Sequence, residues 1–234
     1  MIDIHCHLLY GVDDGSDSIE ESVMMLKSAK AQGVDHIILT PHLRHGMFEH
    51  NLPLIEKNFK SLLPYADKIG IGISLGTEYH VNSDMVSSFK SGRCHTLADT
   101  SYILTEFKTS PEFSLMVKTV QDSILAGFIP VIAHVERCAC LVENPQLVAE
   151  LQARGAWIQV NADAVLGLDG HGPKKFCKKL LKSEWVDIIA SDSHGIKNRA
   201  CHMQDCYKYI TKKYDQEYAN ILMQDNPAVI LRGE

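Results

Sequence analysis

Long hydrophobic runs are missing from this chain. No apolar stretch among its 234 residues approaches the roughly 20 that a bilayer-spanning helix needs, so no membrane insertion is expected. The start carries no basic segment followed by an apolar one, the mark of an export signal, and a cytoplasmic protein is expected. Excess positive charge is missing too: 23 Lys and Arg face 29 Asp and Glu, a formal net charge of −6. That balance argues against nucleic acid or an anionic bilayer as the main partner. Cysteine occurs seven times, at Cys6, Cys94, Cys138, Cys140, Cys177, Cys201 and Cys206, with no pair at zinc-finger spacing. An odd count without an export signal argues against a disulfide scaffold and leaves reduced thiols. Pro/Ser-rich linkers, low-complexity runs and internal repeats are absent, so residues 1–234 read as a single domain whose oligomeric state stays open.

What the chain does have is alternation. Seven apolar runs read as strands: "MIDIHCH", "DHIILTPH", "IGISLGTEY", "SYILTEF", "IPVIAHVER", "AWIQVNAD" and "VDIIASDSH". Helical segments lie between most of them. In "SDSIEESVMMLKSAKAQG", Ser18 and Glu21 fit a capping box, Ile19, Val23, Leu26 and Ala29 share one face, and Gly33 suits the end. Strand–helix alternation predicts a parallel sheet covered by helices. Seven strands of near-continuous apolar character suggest a barrel, with an open doubly wound sheet as the alternative. From about Met203 onward a peripheral helix is expected, then a turn and short tail in "DNPAVILRGE".

Polar residues collect at the ends of these runs. His5 and His7, two apart on an extended segment, share one side of the first strand, and Asp14 follows. His42 ends the second run, Glu78 the third, Glu106 the fourth and His134 the fifth, while Asp192 and His194 end the seventh. In a parallel α/β barrel these ends meet on one rim, where active sites form. A single strand-end histidine usually bonds a carbonyl, and a single glutamate is usually solvated. Five histidines and four carboxylates buried together without cations would be strongly unfavourable. Divalent ions resolve this: neutral imidazoles leave the four carboxylates at −4, and three ions, at +6, bring the centre to +2, which attracts phosphate even on an acidic protein. The carboxylate–imidazole mixture suits manganese, iron or zinc and is too rich in nitrogen for magnesium or calcium. His36, His45, His50, His80, His95, His171 and His202 read as structural or exposed, with His45 nearest the rim.

The set "DIHCH", "DDG", "TPH", "TE", "EF", "AHVER" and "SDSH" resembles the polymerase and histidinol phosphatase (PHP) family. It is most similar to the bacterial tyrosine-phosphatase branch tied to capsule and exopolysaccharide synthesis, through Val12 to Gly15 and His134 to Arg137. The resemblance implies a distorted seven-stranded (β/α)7 TIM-like barrel with three metals at the C-terminal strand ends, manganese favoured. It implies one ion at His5, His7, Glu78 and Asp192, a second at Asp14, His42 and His194, and a third at Glu78, Glu106 and His134. Arginines near the phosphate would be Arg137, Arg199 and Arg44, with His45 as a candidate general acid. Cys138 stands where this branch often has an aromatic residue.

The implied activity is phosphotyrosine hydrolysis on protein, the partner being a bacterial tyrosine kinase tail. A thiol mechanism needs an arginine six residues after a cysteine, and none of the seven has one. A small-molecule phosphatase acting on histidinol phosphate is the alternative within the family. A nuclease module would need a polymerase portion, and a metal-binding scaffold would not be expected to keep all nine residues.

Overall fold

The computed structural model describes all 234 residues. Its nine strands are β1 Ile2–Cys6, β2 His36–Leu39, β3 His42–Leu43, β4 Gly72–Leu75, β5 Glu78–His80, β6 Tyr102–Glu106, β7 Ile129–Ile132, β8 Trp157–Asn161 and β9 Ile188–Ala190. All pairings are parallel, in two sheets ordered β1-β2-β4 and β3-β5-β6-β7-β8-β9, with helices between strands. The expected parallel α/β order is present. Neither sheet closes on itself.

Seven expected runs become nine strands because the second and third each break in two. Pro41, without an N–H, interrupts the ladder between β2 and β3. Irregular bonds bridge the breaks: Thr40 N donates to Cys6 O at 2.9 Å, Gly76 N to Leu39 O at 2.8 Å and Glu78 N to Pro41 O at 3.2 Å. Each broken strand thus starts in one sheet and ends in the other. On the opposite side, β1 meets the segment after β9. His7 N donates to Ser193 O and Asp192 N to His5 O, both at 2.9 Å. Buried Asp3 accepts from the backbone N–H and hydroxyl of Ser191, which pins the same seam.

The register of β1 slips between Asp3 and Cys6, whose partners are Ile37 and Leu39, three residue steps against two. Such a bulge breaks strict alternation and re-aims side chains. Ile4 joins a ten-residue apolar cluster with Ile38, Leu104, Val131 and Ile188. Cys6 joins the larger 41-residue core beneath the helices, as a small buried residue. His5 and His7 face the polar cluster described below.

The first helix, Ile19–Ala31, is capped by Ser18, whose side chain accepts from Glu21 N at 3.2 Å. Glu21 reaches back to Asp17 N rather than Ser18 N, so only half of the expected box forms. The C-terminal region departs further from expectation. Helices Met203–Lys213, Gln216–Asn220 and Asn226–Arg232 follow one another, the last two joined by a wide π turn over Ile221–Asp225. Pro227 lies in the first turn of the last helix, where its missing N–H costs nothing, and Gly233 ends that helix in the left-handed conformation. Leu222, Met223 and Ile230 are fully buried, and Ile230 belongs to the ten-residue cluster with Ile4 and Ile188. The tail is therefore part of the core.

Candidate metal centre

Each strand end delivers its side chain to one place. Nε2 of His5 lies 3.2 Å from Nε2 of His7, 3.2 Å from Glu78 Oε2 and 3.4 Å from Asp192 Oδ1. His7 Nε2 lies 3.2 Å from Glu78 Oε2 and 3.5 Å from Asp192 Oδ1. A tetrahedron of donors about 2.1 Å from a transition metal has edges of about 3.4 Å, so these atoms stand at ligand spacing. Beside them, Asp14 Oδ1 is 3.5 Å from both His42 Nε2 and His194 Nε2. On the other side, His134 Nε2 is 2.7 Å from Glu78 Oε1 and 3.9 Å from Glu106 Oε1. Donor atoms also group as His7, Asp14, His42 and His194, and as His42, Glu78 and Glu106. All nine residues named from strand ends enter one continuous cluster with Glu78 at its middle.

The cluster is short of positive charge and of hydrogen-bond partners. His42 Nδ1, Glu78 Oε2 and His194 Nε2 are buried and unpartnered. His42 Nδ1 and Glu78 Oε2 lie 2.9 Å apart without hydrogen-bond geometry. A shared cation satisfies such a pair; a hydrogen bond does not. Without ions, protons take the cations' place. Burial pulls the pKa of His7 down, but the Asp13 carboxylate outweighs it and holds the ring well above its usual value. Burial raises Glu78, yet the facing His5 and His42 rings hold it well below the carboxylate range. Burial and the neighbouring His7 push His194 down to about 2. The donor set therefore fits transition-metal ions.

Backbone strain marks the same rim. His134 has φ 33°, Asp192 φ 52° and Arg199 φ 49°, left-handed conformations that cost non-glycine residues on the order of 1 kcal/mol or more. Gly15 has the opposite problem. A Cβ there would overlap the carbonyl of His7, because the loop folds back so that Ser16 N donates to His7 O at 3.1 Å. That return brings Asp13 and Asp14 against the first strand.

Both arginines near the rim point at one oxygen. Asp192 Oδ2 accepts from Arg137 at 2.7 Å, Arg199 at 2.9 Å and Asn161 Nδ2 at 2.8 Å. The two guanidinium side chains remain 41% and 43% exposed, which leaves them donors toward the mouth. Arg44 and His45 lie on a loop whose Arg44 N donates to Phe48 O at 2.9 Å. His45 is exposed and lies 3.5 Å from Glu49 rather than against the cluster. Phe48 stacks on the His42 ring, centroids 5.2 Å apart.

The positioning residues beneath the cluster are not among those singled out from strand ends. Asp13 Oδ2 accepts from His7 Nδ1 at 2.7 Å and from His42 N at 3.0 Å. Gln159 Oε1 accepts from His134 N at 2.9 Å and lies 3.2 Å from His5 Nδ1, while its amide nitrogen donates to Asn161 Oδ1 at 2.8 Å. His80 Nδ1 lies 2.9 Å from Glu106 Oε2. Asp13 has a signal in the sequence, since it precedes Asp14 in "VDDG"; Gln159 and Asn161, two apart in "WIQVN", share a strand face but carry no chemical mark of their own.

A family model for capsular polysaccharide synthesis, CpsB/CapC, matches residues 1–232. The chain belongs to the CpsB/CapC family. It is 35% identical over 241 residues to the tyrosine-protein phosphatase CpsB of Streptococcus pneumoniae, covering 100% of this chain and 99% of that one. Its fold matches, at TM-score 0.90 and 31% identity, a crystal structure from work on YwqE of Bacillus subtilis and CpsB of S. pneumoniae, unique metal-dependent tyrosine phosphatases, covering 100% of this chain and 95% of that one. Histidinol phosphate phosphatase from Lactococcus lactis, solved with zinc, L-histidinol and phosphate, matches at TM-score 0.63 and 16% identity over 95% of this chain and 94% of that one, a likeness of fold alone. No helix of this CpsB/CapC member is long and apolar enough to cross a membrane.

Proposed function

We propose that this protein hydrolyses phosphotyrosine on protein in a metal-dependent reaction, and that its substrate is the tail of a bacterial tyrosine kinase governing capsular or exopolysaccharide synthesis. One observation carries the reading: nine His, Asp and Glu side chains converge on one rim with buried donor atoms left unpartnered. Membership of a family whose relatives are tyrosine-protein phosphatases supports the substrate class. On this reading residues 1–234 act as one cytoplasmic domain. The two sheets form one distorted seven-stranded barrel, with β2–β3 and β4–β5 each counted as a single broken strand.

Three divalent ions would complete the site. His5, His7, Glu78 and Asp192 would hold one, Asp14, His42 and His194 a second, and Glu78, Glu106 and His134 a third, with Glu78 serving two of them. Manganese is favoured by the family resemblance, and the donor set also suits iron and zinc. Such ions, when bound, supply charge to the phosphoryl oxygens and acidify water.

The chain's own residues do the rest. Arg137 and Arg199, braced on Asp192 Oδ2, keep exposed N–H groups that fit a phosphate at the mouth, and a guanidinium fork can neutralise charge growing on its oxygens. Phe48, stacked on His42, offers an aromatic face for the substrate ring, a role that Cys138 does not fill. Phenol has a pKa of about 10, so the leaving group needs little protonation. Arg44 and His45, on the loop beside Phe48, are the further candidates for phosphate contact and proton donation.

Purified protein assayed with added manganese on phosphotyrosine peptide, phosphoserine peptide and histidinol phosphate tests the reading. Preferential turnover of phosphotyrosine is expected. Preference for histidinol phosphate would assign a small-molecule phosphatase, and no turnover of any substrate would make the centre a scaffold.

A further inference from the structure

The formal charge of −6 conceals a strong asymmetry. Between residues 171 and 213 there are ten Lys and Arg against four Asp and Glu, a local charge of +6. Five of these lysines lie on one helix, His171–Lys182: Lys174, Lys175, Lys178, Lys179 and Lys182. None of the five lies within ion-pairing distance of a carboxylate; the lysine ion pairs of this protein are Lys30–Asp35 and Lys118–Asp122. Lysines four apart on a helix repel, and the helix contains three such pairs. Lys179 and Lys182 sit in the last turn, where the helix dipole favours a cation. Lys174 and Lys175 sit near the start, where it does not, so helix stability does not account for them.

The patch is also concave. A groove of about 550 Å³ runs between this helix and Met203–Lys213, with Lys174, Lys175, Lys178 and Lys182 on one wall and Tyr209 and Lys213 on the other. Lys174 is fixed in it: Nζ donates to Leu166 O at 2.8 Å and lies 5.6 Å from the Tyr209 ring. Both helices begin on the side of the strand ends that carries the metal centre. The first follows β8 through the short helix Ala162–Leu166, and the second follows β9 through Asp192, His194 and Arg199. His202 Nδ1, 2.8 Å from Asp163 Oδ1, ties these two connections together.

We propose that this groove docks an acidic segment of the phosphoprotein substrate, outside the phosphotyrosine itself. The inference rests on the protein-phosphatase reading above. An acidic chain supplies the carboxylates that the lysines lack, and an extended peptide enters a groove between two helices where a planar bilayer surface cannot. The tyrosine-bearing wall gives the peptide's methylene groups an apolar surface. Docking raises the local concentration of the phosphotyrosine at the rim and acts on binding rather than chemistry.

The test is the triple charge reversal Lys175→Glu/Lys178→Glu/Lys182→Glu in the metal-loaded full chain. Its substrates are a phosphotyrosine peptide with an Asp/Glu-rich flank, the same peptide with a neutral flank, and a small aryl phosphate. For the acidic peptide KM should rise roughly tenfold with kcat unchanged, three weakened surface pairs summing to about 1.4 kcal/mol. The neutral peptide and aryl phosphate should be unaffected, and the difference should shrink at 1 M salt, where charges are screened beyond about 3 Å. Binding of a fluorescent, non-phosphorylated acidic peptide, weakened by the same reversal, reads the groove separately, so failure of the phosphatase reading would not mask it. An unchanged KM and unchanged peptide binding would overturn the proposal. So would equal loss on the aryl phosphate. Charge-dependent sedimentation with phosphatidylglycerol vesicles, without any effect on the acidic peptide, would replace it with a membrane surface.

Discussion

Gln159 determines which nitrogen of His5 carries the proton. The backbone N–H of His134 can only donate, so the side-chain atom 2.9 Å from it is the amide oxygen of Gln159. That same oxygen faces His5 Nδ1 at 3.2 Å, so Nδ1 bears the hydrogen and the Nε2 lone pair is left free for an ion placed between it, Glu78 and Asp192. The orientation propagates: the amide nitrogen of Gln159 donates to Asn161, whose own amide donates to Asp192. Asp13 performs the corresponding task for His7.

Gln159→Leu should therefore lower metal affinity by roughly 10–100-fold while the protein stays folded. Gln159→Glu keeps an acceptor for His5 and for His134 N–H and should lose much less. Calorimetric titration of manganese or zinc into both variants, with the nitrogen NMR shifts of His5, checks this. Equal affinity in wild type and Gln159→Leu would remove Gln159 from the support of the site.

Arg137→Lys retains the charge only as a point and loses the planar fork that donates to Asp192 Oδ2 at 2.7 Å, on the order of one charged hydrogen bond. Its kcat/KM on phosphotyrosine peptide should fall about tenfold or more. Histidinol phosphate, with a more basic leaving group, should be a poor substrate for both forms. Parallel kinetics at identical metal loading read both points, and an unimpaired variant would take Arg137 out of phosphate binding.

The thiols should be spectators. Cys6, Cys94, Cys138, Cys177, Cys201 and Cys206 are buried. Burial pushes Cys94, Cys138 and Cys201 up to about 12, and Cys6, Cys177 and Cys206 also upward, so thiolate is scarce at neutral pH. Alkylating the accessible thiols should leave most turnover intact. Complete inactivation in step with one modified cysteine, metals still bound, would point to a thiol mechanism.

Ile230→Ala should destabilise the fold by roughly 2–5 kcal/mol, the usual cost of emptying a buried isoleucine site. Ile230 is fully buried against the strand cluster that contains Ile4 and Ile188. Urea unfolding measures the change, and an effect under 0.5 kcal/mol would make the last helix a surface appendage.

The convergence of the candidate metal ligands is legible in the sequence because parallel strands expose their ends on one side, so His5, His42, Glu78 and His134 each stand as a polar residue closing an apolar run. Gln159 and Asn161 do not, because neutral amides in a buried strand carry no chemical signature until their partners are known. The break at Pro41 is hidden because it falls at the polar end of its run, between Thr40 and His42, where a strand is expected to stop in any case. The bulge in β1 depends on its pairing with β2 and cannot be seen in one strand alone. The C-terminal helix reads as a turn in the sequence because "DNP" is a turn signal, yet proline in the first turn of a helix is equally well tolerated. The lysine groove disappears from any reading based on net charge, since its cations are cancelled by carboxylates elsewhere in the sequence.

The most direct test of the metal reading is elemental analysis of gently purified protein, paired with phosphotyrosine-peptide turnover before and after chelation. Wild type should contain more than one transition-metal ion per chain, lose activity when stripped, and regain it with manganese. Asp192→Asn and His7→Ala should fold, hold less metal and lose most of kcat, because the groups they remove sit among the clustered donor atoms. Metal-free protein with full phosphotyrosine turnover would contradict the account, as would either variant with wild-type kcat and metal content.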